Sequence, residues 1–347
     1  MVRINTMRTP TWSYLGLNYV DYAKEAISKE KYYKESTYSP IEALEEAFKT
    51  ETYGLSEEIN KENKEFRNFS KAYDVKEDRP VEIIKLDLNK ENNILVSNID
   101  INARANTESS FLLEIIDDES DKIFINSLMR LHLEENSKVK LVVVTNLGKG
   151  SVHLNAIASV LKEDAFLDLT YIEIGAKNSL VNIKNILRGD RAKLVENGVY
   201  FKSDKEYLDL LAVNEHFGKE TDSQALFNGG LRDKAVKNFK GVVDLRRGCT
   251  KADGKIGDYS MMLSDEVVNK SAPILLNEER EVAGKHAASV GRMNRDMLFY
   301  IMSRGLSKKQ AEALMLEANF APALDKIDDQ ELREKLRDRV HKLNVRS

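Results

Sequence analysis

Apolar residues alternate with polar ones through the middle of the chain. Leu131-x-Leu133, Val139-x-Leu141, Leu167-x-Leu169 and Ile172-x-Ile174 each place an apolar side chain at every second position. This alternation is typical of a β-strand that buries one face. We therefore predict a strand-rich region over residues 80–290.

The predicted strands recur at a nearly constant interval. Short polar turns follow Leu133, Leu161, Leu187, Val213 and Leu245, at intervals of 28, 26, 26 and 32 residues. A constant period indicates a repeat architecture, and helices are too few here to connect parallel strands. The pattern therefore predicts a mostly β fold with a right-handed parallel β-helix core. An antiparallel sandwich is the alternative, but it gives no reason for such a repeat.

The region before the strands, residues 1–79, is polar and rich in charge. Ile41, Leu44 and Phe48 lie at helical spacing after Ser39-Pro40, which predicts a short helix over residues 41–49. The remainder of this N-terminal region is expected to pack loosely.

The last region, residues 291–347, returns to helical periodicity. Asn294 is a candidate helix cap, and Gly305 is placed to end that first helix. Ser307-Lys-Lys-Gln310 is a capping box that predicts a second helix, which Pro322 should end. A third helix is predicted from an apolar stripe. Its members are Leu332, Leu336, Val340 and Leu343. These helices either pack onto the strand domain or dock a partner protein.

Composition and charge exclude several classes. Hydrophobic residues make up 42% of the 347 residues and charged residues 32%, as in an ordinary globular protein. The formal net charge of −4 shows no basic excess for nucleic acid. No apolar run approaches the ~18 residues of a membrane span, and no apolar leader follows the first basic residues. We expect a cytoplasmic protein.

The chain has one cysteine, Cys249. One thiol excludes an intramolecular disulfide and any multi-cysteine metal centre held by this chain alone. Arg246 and Arg247 could lower the pKa of this thiol and make it reactive. The alternative is a small, partly buried residue at the position where Ser137 and Ala165 open strands in other repeats.

Common catalytic motifs are absent from the sequence. There is no phosphate-binding loop, dinucleotide-binding fingerprint, serine-hydrolase elbow or zinc-protease helix. An enzyme active site is therefore not readable from these residues. His286 stands out, because small residues flank it between Ala283 and Gly291, at the junction of strands and helices. A lone histidine of this kind is either structural or a ligand.

Five segments carry a family resemblance. His286-Ala-Ala-Ser-Val-Gly-Arg-Met-Asn-Arg-Asp-Met-Leu-Phe-Tyr-Ile-Met-Ser-Arg-Gly305 closely resembles the C-terminal signature of the SufB/SufD family of iron–sulfur cluster assembly proteins. His216-Phe-Gly-Lys-Glu-Thr-Asp-Ser223, Gly241-Val-Val-Asp-Leu and Pro273-Ile-Leu275 are similar to family motifs upstream of it. Arg8-Thr-Pro-Thr-Trp12 is similar to the opening of the SufD branch.

Two features favour the SufD branch over the SufB branch. The SufB signature has a glutamate after the histidine, whereas this chain has Ala287 after His286. The SufB branch also carries cysteines tied to cluster building, and this chain has only Cys249. The chain departs from the family pattern at Gly284, where a cysteine is usual, and at Ala287, where a glycine is usual.

The resemblance implies a non-catalytic scaffold subunit. Such a subunit pairs through the ends of its β-helix with a SufB-like subunit, or with itself when alone, and docks a SufC-like ABC-type ATPase. His286 is implied as a shared ligand at the cluster-assembly interface, with Cys249 as a second candidate. The residues implied in ATPase docking are Phe299, Tyr300, Arg304, Gly305, Ala311, Leu314 and Phe320.

The same resemblance sets the expected cofactors. The chain should hold none alone, and a transient iron–sulfur cluster would be shared with the SufB-like partner; flavin on the complex is left open. Neither nucleic acid nor membrane is an expected partner. Two other functions remain as alternatives: a SufB-like homodimeric scaffold and a β-helix enzyme acting on carbohydrate.

Overall fold

Two parallel sheets of eight strands each wind into a β-solenoid of eight turns. The fold is seen in a computed structural model that describes residues 1–10, 13–24, 38–117, 122–292 and 295–345. Successive strands alternate between the sheets, and every strand pair within the two sheets is parallel. The predicted parallel β-helix is therefore confirmed, and the antiparallel sandwich is excluded.

The odd-strand sheet contains the first strand of each turn. Its members are β3 Phe69–Val75, β5 Ile94–Ala103, β7 Phe124–Leu133, β9 Val152–Leu161, β11 Asn178–Leu187, β13 Tyr207–His216, β15 Val236–Leu245 and β17 Val268–Asn277. The even-strand sheet contains the second strand of each turn. Its members are β4 Arg79–Leu88, β6 Glu108–Asp117, β8 Lys138–Leu147, β10 Phe166–Gly175, β12 Lys193–Lys202, β14 Asp222–Leu231, β16 Asp253–Met262 and β18 Ala283–Arg292. The solenoid thus begins at Phe69 rather than at the expected residue 80.

A left-handed backbone residue recurs along the repeat. Six of the eight turns from the odd to the even sheet place a residue of positive φ just before a small residue, as in Asn136-Ser137 and Asp164-Ala165. Asn and Asp adopt this conformation more readily than most residues. The Asn136 N–H donates to the Glu163 carbonyl of the next turn at 2.9 Å. Each turn therefore fixes the position of the following one.

The repeat register differs from the sequence prediction at one turn. His216 pairs with Leu187 on one side and Leu245 on the other, so the repeat passes through His216 and not Val213. The spacing of this column is therefore even, at 29 residues on both sides. The alternation pattern missed His216 because a polar ring fills an apolar position, where Thr221 and Ser223 hydroxyls bind it, each at 2.8 Å.

The N-terminal region covers the outer face of the odd-strand sheet. It consists of β1 Val2–Ile4, a short 3-10 helix Ser13–Leu15, β2 Val20–Tyr22, α1 Glu42–Phe48 and α2 Glu57–Phe66. Helix α1 confirms the prediction for residues 41–49. For the described part of the remaining N-terminal region the expectation of loose packing is wrong, because Ile4 and Ile59 are buried. Asn5 also donates to the Val181 carbonyl at 3.0 Å and to Asp209 at 2.7 Å.

Three helices follow the solenoid: α3 Arg295–Ser303, α4 Lys308–Leu324 and α5 Gln330–Val345. Gly305 follows α3 with a φ of +94°, and Ser307 forms the predicted capping box with Gln310. The prediction that Pro322 ends α4 is wrong, since the helix continues to Leu324. The candidate cap Asn294 lies outside the described residues.

Helices α4 and α5 pack on the outer face of the even-strand sheet. Leu316 and Phe320 of α4 are buried in one cluster with Ile172 of β10 and Phe201 of β12. Leu332 and Leu336 of α5 belong to the same cluster; the side chains of Val340 and Leu343 are outside the described part. This burial stabilises the last turn of α4 beyond Pro322 and shows that the buried faces of α4 and α5 pack on the sheet.

We expect Gly229→Ala to destabilise the solenoid. A Cβ atom at Gly229 would overlap the ring of Tyr200, whose hydroxyl is held by Asp258 at 2.8 Å and Ser260 at 2.7 Å. Overpacking of this kind costs about 1–3 kcal/mol. Urea unfolding should show that loss in the free energy of unfolding. Gly291→Ala is the matched control, because no atom lies within 4 Å of its Cβ position; equal stability of the two variants would contradict the packing described.

Candidate functional site

His286 is the last member of an inward-facing column of the even-strand sheet. From strand to strand the register gives the column Phe111, Leu141, Leu169, Glu196, Ala225, Ile256 and His286. Ile256, directly below the histidine, is buried, whereas His286 is exposed. His286 therefore occupies a core position that is uncovered because the solenoid ends there.

The last turn presents two strand edges and a row of small side chains. Within the described residues, no strand pairs with the outer edge of β17 or β18. Gly284 and Ala288 flank His286 at the neighbouring inward-facing positions of β18. On β17, buried side-chain atoms of Asn269 and Ser271 lack hydrogen-bond partners. Unpaired strand edges and unsatisfied polar atoms together mark a surface suited to a partner chain.

Cys249 lies in the turn between β15 and β16 and is completely buried in the solenoid core. Burial, with a smaller contribution from Glu279, raises the pKa of its thiol to about 11. The hypothesis that nearby arginines activate it is wrong, because Arg246 pairs with Glu215 and Asp244, each at 3.0 Å. A place for Cys249 at a cluster-assembly interface remains only a prediction.

The strand-opening position assigned to Cys249 belongs to Ala252. Lys251 has the positive φ that precedes the small residue in each of these turns, just as Asn136 precedes Ser137. The turn over residues 246–252 is longer than the turn over residues 134–137, and Cys249 lies within the additional length. Sequence spacing could not distinguish a turn insertion from the repeated position.

The expected docking residues fall into two groups. Phe299 and Tyr300 of α3 are 75% and 55% exposed, and Leu314 of α4 is 48% exposed. Arg304 and Gly305 are exposed beside them, and the Arg304 guanidinium donates to the Tyr300 hydroxyl at 3.0 Å.

The other two expected docking residues are buried. Ala311 and Phe320 have no exposed surface, so in this arrangement they anchor α4 to the sheet and do not face a partner. Met297 and Met302 are apolar residues of the predicted first C-terminal helix, now α3, that were not among the expected docking residues, and both are exposed. Their helical spacing around Phe299 and Tyr300 was the sequence pattern that could have placed them on the same surface.

The described residues offer neither a metal site nor a membrane-spanning helix. There, no group of three or more His, Cys, Asp or Glu side chains is arranged to hold a metal ion. No helix in the same part of the chain is long and apolar enough to cross a membrane. The role of His286 as a shared cluster ligand stays a prediction.

Two buried glutamates give the solenoid interior a polar character. Burial opposes ionisation of Glu173, but His153 at 3.0 Å and Lys202 at 3.3 Å outweigh it and lower its pKa to about 2. Burial raises the pKa of Glu196 to about 8, since only Asn185 and Asn214 donate to it, at 3.4 and 3.3 Å. Glu196 shares its column with His286.

The protein is a parallel β-solenoid with an open last turn and an exposed C-terminal helix. Comparison with known protein families shows which family has this architecture. The family described as "SUF system FeS cluster assembly, SufBD core domain" matches residues 86–319, more than half of the chain. The chain belongs to this SufB/SufD family of iron–sulfur cluster assembly proteins.

Curated relatives agree with this assignment. The iron–sulfur cluster assembly protein SufD of Bacillus subtilis is 37% identical over 112 residues, 32% of this chain and 26% of the relative. A SufBD family protein of Mycobacterium leprae is 27% identical over 214 residues, 59% and 54% of the two chains. The SufD protein of Escherichia coli is 23% identical over 216 residues, 62% and 50%. The matches span between about a quarter and just over half of these relatives.

We expect Glu196→Gln to change how stability depends on pH. The folded pKa of Glu196, about 8, lies above the unfolded value of ~4.4. The contribution of Glu196 to the free energy of unfolding of the wild-type protein is therefore fully present below the unfolded pKa. It is lost as pH rises toward 8. Unfolding at pH 5 and pH 8 should show the variant stabilised by about 1 kcal/mol or more at pH 8, with a smaller difference at pH 5. The control Glu135→Gln is exposed; a matching change in it would contradict this explanation.

Proposed function

We propose that this protein is the SufD-like, non-catalytic scaffold subunit of a SufBCD-type complex that assembles iron–sulfur clusters. The observation that carries the proposal is the exposure of His286, a core position left open on the last strand of the solenoid. Family membership and the relatives named SufD support it. The cytoplasm is the compartment we propose for this complex.

Pairing through the open end is the first part of the proposal. Strands β17 and β18 form the last turn, and their outer edges offer backbone N–H and C=O groups to a second solenoid. A SufB-like subunit that presents a similar turn would cover His286 and the small side chains beside it. Residues such as Gly284 and Ala288 leave space for the partner's side chains.

The assembling cluster is cargo that the two subunits would share. An iron–sulfur cluster is usually held by about four thiolate or imidazole ligands. In this chain Cys249 is buried with a raised pKa, whereas the imidazole of His286 is exposed at the open end. His286 would therefore supply one ligand, and the SufB-like partner would supply the thiolates.

Docking of a SufC-like ATPase is the second part. The exposed apolar surface of α3 and α4 includes Phe299, Tyr300 and Leu314, a pattern suited to a protein partner. Helix α3 begins at Arg295, and β18 ends at Arg292. Movement of a docked ATPase would thus be passed directly to the strand that carries His286.

We expect His286→Ala to lower cluster assembly in cells without changing folding or complex formation. An exposed imidazole adds little to core packing, so its loss should remove only the ligand. Activity of iron–sulfur enzymes in a strain that depends on this system is the measurement, with co-purification and thermal unfolding as checks. Lys285→Ala, an exposed change on the same strand, is the matched control. Unchanged enzyme activity with His286→Ala would remove this residue from the proposed function.

We expect Phe299→Ala to weaken capture of the ATPase while a SufB-like subunit still co-purifies. Loss of an exposed aromatic anchor from a protein interface commonly costs about 2 kcal/mol or more, roughly 30-fold in affinity. Anaerobic pull-down with mass spectrometry measures both partners. Tyr14→Ala is the control, because Tyr14 is 77% exposed in the N-terminal region. A partner-free wild-type monomer in cells would contradict the scaffold proposal itself.

A further inference from the structure

A cavity of about 700 Å³ lies on the outer face of the odd-strand sheet. Its floor is formed by β11, β13, β15 and β17, and its walls by residues 6–9 and 51–57 of the N-terminal region. Small-molecule sites commonly enclose about 300–1,000 Å³. The cavity is therefore large enough for an organic ligand, and the proposed scaffold function does not use it.

Most of the floor is apolar. Leu211, Val213, Val242, Ile274 and Leu276 line it on neighbouring strands of the sheet. Met7 of the N-terminal segment packs on the same cluster from above. This surface would favour the hydrocarbon or aromatic body of a ligand over water.

One end of the cavity carries a buried carboxylate with a free oxygen. The Asp244 side chain is 3% exposed, and its Oδ2 accepts from Arg8 at 2.9 Å and lies 3.0 Å from Arg246. Its Oδ1 has no hydrogen-bond partner in the described structure. A buried acceptor without a donor costs about 1–3 kcal/mol. Asp244 lines the cavity, and its Oδ1 has almost no accessible surface. A ligand there could supply the missing donor after a small shift of this side chain.

The charges that line the cavity favour a cation over an anion, because four carboxylates (Glu51, Glu57, Glu215 and Asp244) outnumber two cations (Arg8 and Lys184). Glu215 lies beside Asp244 in the strand register, so an anionic ligand would face two carboxylates. Lys184 already donates to the Thr52 carbonyl at 2.9 Å and pairs with Glu215 at 3.2 Å. A ligand with one positively charged donor would complete the coordination of Asp244 without displacing these contacts.

We propose that this cavity binds a small amphipathic amine, with its apolar body on the strand floor and its ammonium group donating to Oδ1 of Asp244. A charge-assisted hydrogen bond between ammonium and carboxylate is about twice as strong as a neutral one. Because one carboxylate oxygen is unpartnered, we expect the ligand to have one cationic group. Because the floor is apolar, we expect the remainder of the ligand to be hydrocarbon or aromatic.

Three probes with one aromatic body test the proposal: 1-naphthylmethylamine, 1-naphthylmethanol and 1-naphthoate. Their binding to the full chain is measured by fluorescence and calorimetry at pH 8. We expect saturable binding in which the amine binds about tenfold more tightly than the alcohol, and the carboxylate binds weakest. Equal affinity for amine and alcohol, or no saturable binding of either, would overturn the proposal.

Three variants locate the site. Asp244→Asn should remove the preference for the amine while affinity for the alcohol changes by less than about twofold. Val213→Trp should fill the floor and abolish binding of both. Glu278→Gln is the matched control, because Glu278 approaches Arg8 and Arg246 at 3.8 and 3.9 Å without lining the cavity. An amine preference that survives in Asp244→Asn would overturn the assignment.

A pH titration of the wild-type protein tests the same contact without a substitution. Burial, followed by the charge of Glu215, raises the pKa of Asp244 to about 6. The amine preference should therefore decline as pH falls from 8 to 5 and Asp244 becomes protonated, while the probe amine stays protonated throughout. A preference that stays constant over this range would contradict the role of Asp244. The charged groups facing Asp244 are Glu215, Glu278, Arg8, Arg246 and Lys184.

Discussion

Pairing of each strand with the strands one turn before and after it is the constraint on which this structure depends. Backbone hydrogen bonds between strands of a parallel solenoid are satisfied only by neighbouring turns, so within the described residues they are missing at the outer edges of the first and last turns. Strand β18 therefore has core-type side chains with no turn above them. The exposure of His286 follows from this geometry, and no special local conformation is required to bring it to the surface.

The ionisation of polar groups in the solenoid interior depends on their immediate hydrogen-bond and charge partners. Glu173 and Glu196 are both fully buried on adjacent strands of one sheet. Two cationic neighbours keep the first ionised, whereas amide donors alone leave the second with a raised pKa. Lys237 is likewise buried against Asp258. In these cases the polar partner comes from the same turn or from the next one, so interior positions accept polar residues whose partners the solenoid supplies.

The repeated architecture could be predicted because one local device, a left-handed residue before a small one, recurs at turn after turn. The position of His216 in the repeat could not be predicted, because the hydroxyl groups of Thr221 and Ser223 reach its ring only after the turn closes. Continuation of α4 past Pro322 depends on burial of Phe320 and Leu324 against a distant sheet. The signature identified His286 and α3, but the cavity at Asp244 requires the N-terminal segment to lie across the strands, which periodicity does not encode.

Both outer faces of the solenoid are covered by other parts of the chain. The N-terminal region occupies the outer face of the odd-strand sheet, and α4 and α5 occupy that of the even-strand sheet. Hydrogen-bonded turns with charged side chains form the corners. Among the described residues, the edges of the last turn have no strand partner and the apolar side chains of α3 are exposed. Because β18 leads into α3, a partner bound at the last turn and a partner bound at α3 would act on one short stretch of chain. Binding at the last turn and binding at α3 could then be coupled without a structural change in the solenoid core.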